Sequence, residues 1–117
     1  PGVPCINKRT GTLAYMAPEV FSKNMVPQSD VWSLAVTLHF LFAGRLPFWA
    51  PNEAPRLTRI EEMAEIVRTM PIRFDYAPWS NMTPEGIDFM QRCLTRDPLT
   101  RMSLEEAEAH PWLAYQH

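Results

Sequence analysis

SDVWSLAVTLHFLF, residues 29–42, is the stretch that decides the fold of this chain. Apolar residues occupy nearly every side of a helix drawn through it, interrupted only by Ser33, Thr37 and His39 after the acidic start. A helix that is apolar all round must be enclosed by protein. The apolar run is too short to span a bilayer, which needs roughly 20 apolar residues. The sequence therefore predicts a buried central helix.

Signals at both ends of this stretch support the helix. Ser29 is predicted to cap its N-terminus, and Asp30 would lie beside the positive end of the helix dipole. Gly44 is predicted to stop the helix after about Ala43, with Pro47 beyond it. Glycine readily adopts the left-handed conformation at a helix C-terminus, and proline cannot continue a helix.

Twelve prolines divide the rest of the chain into short segments. Residues 1–19 show no sustained period and are predicted to form a loop, and residues 20–27 a short helical turn followed by a loop. Three further helices are predicted from apolar faces, proline stops and capping residues: about Ile60–Met70, Thr83–Thr95 with Thr83 as cap and Pro84 at the first helical position, and Ser103–His110 with a Ser103/Glu106 capping box. No stretch alternates convincingly as a strand, so the expected fold class is all-α.

Composition excludes several classes of function. A chain of 117 residues suits one domain, and a net charge of −2 gives no electrostatic footprint for nucleic acid or an anionic membrane. Cys5 and Cys93 are too few for a disulfide framework and lack metal-ligand spacing. The chain opens with Pro1 and has no charged start followed by an apolar segment, so we expect no signal peptide. An intracellular, most naturally cytoplasmic, location is the resulting expectation.

A self-contained active site is not expected within these residues. No glycine-rich loop follows a strand, so nothing is expected to cradle phosphates. The three histidines are far apart and not at metal-ligand spacing, and no Ser/His/Asp set is suggested locally. We interpret His39 as a core histidine and His117 as a solvated chain end. Catalytic, cofactor-binding and metal-binding residues are all expected to be absent.

Five motifs, in order, resemble the catalytic domain of a eukaryotic protein kinase, in the C-terminal part of its large lobe. They are Gly11-Thr12-x-x-Tyr15-x-Ala17-Pro18-Glu19, Ser29-Asp30-Val31-Trp32-Ser33, Gly44-Arg45-Leu46-Pro47-Phe48-Trp49, Asp97-Pro98-Leu99-Thr100-Arg101 and His110-Pro111-Trp112. One motif alone would be weak, whereas five in this order are specific. The third motif, residues 78–81 and the fifth motif most resemble the calcium/calmodulin-dependent and calcium-dependent kinase group.

The resemblance covers nearly the whole chain and implies a partial protein kinase domain. Residues 1–19 would be the end of the activation segment, and residues 20–117 the helical subdomain. The full enzyme would transfer the γ-phosphate of Mg-ATP to a protein Ser or Thr, and this segment would supply the substrate-binding ledge and the helical base. The ATP-holding Lys, the His-Arg-Asp loop and the Asp-Phe-Gly motif are not in these residues. The segment alone is therefore expected to be inactive. The implied partners are a protein substrate and the missing N-terminal part of the kinase domain.

The resemblance also assigns roles near the start of the chain. Gly11, Thr12 and Tyr15 would form the substrate ledge, and the Thr12 hydroxyl favours Ser/Thr specificity. Thr12 could instead be a loop hydroxyl bonded to its own backbone. Thr10 is a possible phosphorylation site, since phosphate commonly orders this segment in the family. The alternative is a solvated loop residue, and Lys8, which occupies the position many relatives phosphorylate, suits an enzyme that needs no such phosphate.

Further roles concern the helical base. Glu19 and Arg101 are expected to form a buried ion pair, the alternative being two surface residues. Asp30, with Trp32, would anchor the catalytic loop by accepting its backbone N–H groups, or Asp30 could be a simple N-terminal acid. Phe40 stands where some basic-substrate kinases carry an acid, so a preference for basic substrates does not follow.

Two other functions remain open at this point. The chain could be a truncated or pseudokinase interaction module that docks partners through its helical face, or an unrelated all-α scaffold. Because the helix that normally covers the central helix is absent from these residues, Phe, Leu and Trp side chains are expected to form an exposed apolar patch.

Overall fold

The computed structural model describes residues 14–48 and 59–114. Six helices and one short 3₁₀ turn, at residues 79–81, lie wholly within these ranges: α1 (Pro18–Phe21), α2 (Gln28–Ala43), α3 (Ile60–Thr69), α4 (Pro84–Cys93), α5 (Leu104–Ala109) and α6 (Pro111–Ala114). No strand occurs in these two ranges, and the predicted all-α fold class is confirmed.

Helix α2 is the centre of the structure. Helices α4 and α5 pack against it, α6 packs on α4 and α5, and α1 packs on α3. The largest fully buried side chains come from α2, α3, α4 and the 3₁₀ turn, so these elements share one core. Its main members are Val31, Trp32, Val36, His39, Met63, Val67, Trp79, Phe89 and Met90.

The start of α2 differs from the prediction. Ser29 is not the N-cap: the helix begins at Gln28 after Pro27, and Ser29 lies within its first turn. The Ser29 hydroxyl accepts a hydrogen bond from the backbone N–H of Val26 (3.1 Å) and donates one to Glu19 (2.6 Å). The hydroxyl that was predicted to cap α2 therefore binds the buried carboxylate of Glu19 in α1 instead.

The C-terminal end of α2 is as predicted. Gly44 follows the last helical residue with φ 74°, in the left-handed region. Its N–H donates to the carbonyl of Phe40 (2.8 Å) and so satisfies one of the carbonyl groups that a helix end leaves unpaired. Only glycine adopts this backbone conformation without a steric cost from Cβ.

The prediction that α2 is enclosed on every side is wrong for the described residues. Leu41 is 69% exposed and Phe42 48% exposed, and Leu34 is also exposed, because the described helices cover one side of α2 only. The expected apolar patch therefore contains Leu and Phe side chains. Trp side chains were also expected in this patch, but Trp32 and Trp79 are buried in the core and do not contribute to it.

The remaining helices follow the predicted boundaries closely. Helix α3 ends one residue early, and α4 ends at Cys93 instead of Thr95. Thr83 caps α4 by accepting from the N–H of Gly86 (3.2 Å), and the Ser103/Glu106 capping box begins α5. Helix α1 begins at Pro18, so the loop predicted for residues 1–19 is wrong at its end, and its residues 1–13 lie outside the described residues. The 3₁₀ turn and α6 were not predicted.

Candidate functional site

A buried ion pair joins α1 to the loop that precedes α5. Arg101 Nη1 lies 2.8 Å from Glu19 Oε2, and Arg101 Nη2 lies 2.9 Å from Glu19 Oε1. The side chain of Arg101 is 0% exposed and that of Glu19 is 6% exposed. This parallel, two-bond geometry is the strongest form of an arginine–carboxylate contact. It fixes α1 to the loop before α5, although the two residues are 82 positions apart.

The guanidinium of Arg101 is fully satisfied. Besides the two bonds to Glu19, it donates to three backbone carbonyls, those of Gln28 (2.9 Å), Thr95 (2.7 Å) and Arg96 (3.1 Å). An arginine has five N–H donors, and each one here has an acceptor. The same group lies over the ring of Trp32, with 5.2 Å between Cζ and the ring centroid. Arg101 therefore ties together α1, α2 and the loop that follows α4.

Glu19 is held in its ionised form. Burial pushes the pKa of its carboxyl group up, but hydrogen bonds from Arg101 and Ser29 outweigh burial and leave the pKa below its ordinary value. A carboxylate that accepts several charge-assisted bonds behaves in this way. The pair is therefore charged at neutral pH.

A tight turn places Arg101. The N–H groups of Thr100 and Arg101 both donate to the carbonyl of Asp97 (3.1 and 2.9 Å), and the Asp97 carboxylate accepts from the N–H of Leu99 (2.9 Å). Asp is suited to such turns because its side chain bonds the backbone two residues on. The Asp-Pro-x-x-Arg spacing thus directs the arginine into the core.

Tyr15 is the one described member of the predicted substrate ledge. Its backbone carbonyl accepts a hydrogen bond from the Ser33 hydroxyl of α2 (2.6 Å), and its side chain packs half-buried against the core. The chain around Tyr15 is therefore tied to the central helix. Gly11, Thr12 and the possible phosphosite Thr10 lie outside the described residues.

The two predicted anchor residues lie in different environments. Asp30 is exposed in the first turn of α2, and no side chain or backbone group in the described ranges donates to its carboxylate. Trp32 is fully buried, and its ring stacks on Phe48 with 6.3 Å between centroids. The indole Nε1 of Trp32 has no hydrogen-bond acceptor among the described residues.

The family model for the protein kinase domain matches residues 2–113. This chain belongs to the protein kinase domain family. It is 37% identical over 103 residues to "Calcium-dependent protein kinase 22" of Oryza sativa subsp. japonica, covering 88% of this chain and 17% of that protein.

Two proteins of Arabidopsis thaliana are similar relatives. "CDPK-related kinase 1" is 33% identical over 112 residues, covering 96% of this chain and 18% of that protein. "CDPK-related kinase 3" is 36% identical over 108 residues, covering 92% of this chain and 17% of that protein. The kinase-domain chain thus spans less than a fifth of the length of the relatives it matches. The resemblance read from the sequence is confirmed.

The described part of this kinase-domain chain does not fit Mg-ATP. Within residues 14–48 and 59–114, no group of three His, Cys, Asp or Glu side chains could hold a metal ion. Helix N-termini without a glycine-rich loop offer no cradle for a triphosphate. Every helix in the same two ranges is too short or too polar to cross a membrane.

His39 is a core histidine in this kinase-domain chain, as interpreted from its sequence. Its Nδ1 lies 2.8 Å from the carbonyl oxygen of Arg45, and its Nε2 lies 3.4 Å from the Tyr76 hydroxyl. The ring packs against Trp79, with 5.0 Å between centroids. Burial lowers the pKa of His39. Cys93 is buried as well, and burial raises the pKa of its thiol to about 12, which makes it unreactive at neutral pH.

Sequence reasoning missed several partners in this network. Ser29 was assigned to a helix end, and its bond to Glu19 had no local signal because the two residues are joined through an intervening loop. Arg96 was assigned no role, yet its guanidinium donates to the carbonyls of Val67 (2.8 Å) and Met70, at the end of α3. A charged residue before an Asp-Pro turn was the only hint.

Proposed function

We propose that this chain is part of a Ser/Thr protein kinase, whose complete polypeptide transfers the γ-phosphate of Mg-ATP to Ser or Thr residues of a protein substrate. The observation that carries the proposal is the buried Glu19–Arg101 pair, which joins the Ala17-Pro18-Glu19 motif to the Asp-Pro-x-x-Arg motif. The family match and the names of the relatives support the same class of activity.

Residues 1–19 would be the end of the activation segment, and residues 20–117 the helical subdomain beneath it. In this proposal Gly11, Thr12 and Tyr15 form the ledge that receives the substrate peptide. The bond from Ser33 to the Tyr15 carbonyl supports the assignment, because it would hold the ledge at a fixed height over α2. Thr10 would be the site at which phosphate orders the ledge.

Asp30 and Trp32 would anchor the catalytic loop of the complete kinase. An exposed carboxylate in the first turn of a helix can accept two or more backbone N–H bonds from an approaching loop. The exposure of Asp30 supports this role, and the rigid packing of Trp32 between Phe48 and Arg101 would keep α2 in place. The partners are then the protein substrate and the N-terminal part of the domain, in an intracellular setting.

A non-catalytic interaction module is the second candidate. The exposed side chains of Leu34, Leu41 and Phe42 on α2 favour it, because exposed apolar side chains offer a surface on which a partner can dock. The two candidates differ in whether the native polypeptide contains the kinase motifs that these 117 residues lack.

The deciding experiment starts from the native protein, isolated from its source with an antibody against this chain. Intact mass and peptide mapping would show whether it contains the His-Arg-Asp and Asp-Phe-Gly motifs. The same sample is then incubated with Mg-ATP and a mixture of Ser-, Thr- and Tyr-containing peptides. The kinase proposal expects a mass several-fold above 13.5 kDa, both motifs, and phosphate on Ser and Thr only.

A matched pair of variants tests the ledge in that full-length protein. Thr12→Ser keeps the hydroxyl and should retain most of the activity, whereas Thr12→Ala removes it and should lower kcat on peptide substrates by at least tenfold. Equal activity of the two variants would remove the ledge assignment. A native mass near 13.5 kDa without phosphate transfer would instead leave the interaction module as the function.

A further inference from the structure

Both ring nitrogens of His110 are engaged at the end of α5. Nε2 lies 2.8 Å from Asp88 Oδ2 on α4, and Nδ1 lies 3.1 Å from the backbone nitrogen of Trp112 in α6. The ring is buried and packs edge-on against Phe89, with 5.2 Å between centroids. His110 is therefore a bridge between α4 and α6.

The hydrogen-bond partners fix the position of the proton on the ring. A backbone N–H can only donate, so Nδ1 of His110 must accept from Trp112 and carry no proton. The neutral ring then holds its proton on Nε2, where it donates to the Asp88 carboxylate. One tautomer thus satisfies both partners and the other satisfies neither well.

The bond to Trp112 closes the last helix onto the core. Helix α6 has only four residues, from Pro111 to Ala114, and cannot be stable by itself. The Trp112 ring lies against Phe89 (5.2 Å between centroids) and Phe42 (5.8 Å). Trp112 therefore covers part of the apolar side chain of Phe42, which α2 otherwise leaves exposed.

We propose that His110 is a pH-sensitive latch for α6. A proton taken from solvent at Nδ1 turns that nitrogen into a second donor, which then faces the N–H of Trp112 and breaks the hydrogen bond between them. The bond from Nε2 to Asp88 remains and becomes an ion pair. Protonation thus keeps His110 on α4 and releases the first turn of α6.

The charged groups around the ring support this exchange. From α4, Asp88 faces His110 and also pairs with Arg92 (3.0 Å). The hydrogen bond from His110, and after it the one from Arg92, hold the pKa of Asp88 below its ordinary value. The acidic residues of α5 are all exposed, and Glu106 is engaged with the N–H of Ser103. They are Glu105, Glu106 and Glu108.

The two remaining elements add little charge around the ring. Helix α6 has no titratable side chain in its sequence Pro-Trp-Leu-Ala. Helix α2, which also packs on α5, carries Asp30 at its exposed start and His39 against Arg45 and Tyr76. Asp88 is thus the group that receives the protonated ring.

Nitrogen NMR of the ¹⁵N-labelled 117-residue chain tests the latch directly. At about pH 8 the ring of His110 should be the Nε2–H tautomer, read from its long-range ¹H–¹⁵N couplings. As the ring is protonated in a descending pH series, the Trp112 amide proton should move upfield in step with the ring ¹⁵N shifts, because its acceptor is lost. An Nδ1–H tautomer, or a Trp112 amide that stays fixed while the ring titrates, would overturn the proposal.

Two matched variants separate the latch from packing. In His110→Asn the side-chain oxygen lies near the position of Nδ1 and accepts from Trp112 at every pH, so the pH-dependent shift of the Trp112 amide should be lost. In His110→Gln the amide group lies near the position of Nε2, so the Trp112 amide should resemble its low-pH state throughout. A pH response of Trp112 that persists unchanged in His110→Asn would contradict the latch. The wild-type tautomer and titration decide the matter by themselves if either variant fails to fold.

Discussion

Replacing Arg101 with Met should destabilise the chain more than any other charged-to-neutral change in the described residues. Methionine keeps an apolar stem over Trp32 but removes all five hydrogen bonds of the guanidinium. Glu19 would remain buried, with Ser29 as its one remaining side-chain donor. Breaking a buried pair by removing one partner costs about 3–5 kcal/mol, because the remaining charge is left uncompensated.

The loss expected for Arg101→Met is a large fraction of the free energy of unfolding. A domain of this size has a free energy of unfolding of about 5–15 kcal/mol, so Arg101→Met should remove a third or more of it. With a urea m-value of about 2 kcal/mol/M, a loss of about 4 kcal/mol moves the urea midpoint down by about 2 M. Urea unfolding followed by tryptophan fluorescence at pH 7 measures that shift.

Two controls make the Arg101 result specific. Arg73→Met breaks the Arg73–Asp75 pair, whose side chains are 71% and 62% exposed, and should leave the urea midpoint almost unchanged because solvent screens the pair. The double variant Glu19→Gln/Arg101→Met removes both charges and should lose less than the sum of the two single losses. If Arg101→Met shifts the midpoint no further than Arg73→Met, the buried pair does not hold the structure together, and the packing argument fails.

Two further predictions concern single positions. Burial holds the pKa of His39 below its ordinary 6.5, so the unfolded chain binds the proton more tightly than the folded chain. The free energy of unfolding should therefore reach its full value above about pH 6.5 and fall as the pH drops below it. Urea midpoints at about pH 7.5 and 5.5 should therefore differ more in the wild type than in His39→Gln, and an equal difference would contradict this. Gly44→Ala should lower the free energy of unfolding by about 1 kcal/mol, because a Cβ is strained at its φ of 74°. Lys23→Gly, at φ 60°, should be neutral or stabilising because it removes such a Cβ. Thermal denaturation that finds Lys23→Gly less stable than Gly44→Ala would refute the strain argument.

The sequence by itself determined the helices that carry their own signals. Residues 28–43 formed a helix from apolar content and a glycine stop, and Thr83 and Ser103 began α4 and α5, because capping depends on residues three positions apart or fewer. The family followed from motif order, which is a property of sequence alone. Chain segments whose structure depends on near neighbours were thus predictable.

Tertiary structure decided the contacts that join distant segments. Ser29 was the wrong cap because the helix begins one residue earlier, at Gln28. The Ser29 hydroxyl accepts from the Val26 N–H and donates to Glu19, which lies on another element. The position of Arg101 over Trp32, and its bonds to three backbone carbonyls, depend on where the chain returns after α4. Leu41 and Phe42 are exposed because the described elements cover only one side of α2. The sequence could not show this, because an apolar residue has the same local pattern whether it is covered or exposed. Local rules fix the conformation of each segment, whereas packing determines which buried charges meet. The sequence indicated the Glu19–Arg101 pair only through the family resemblance, not through any local signal.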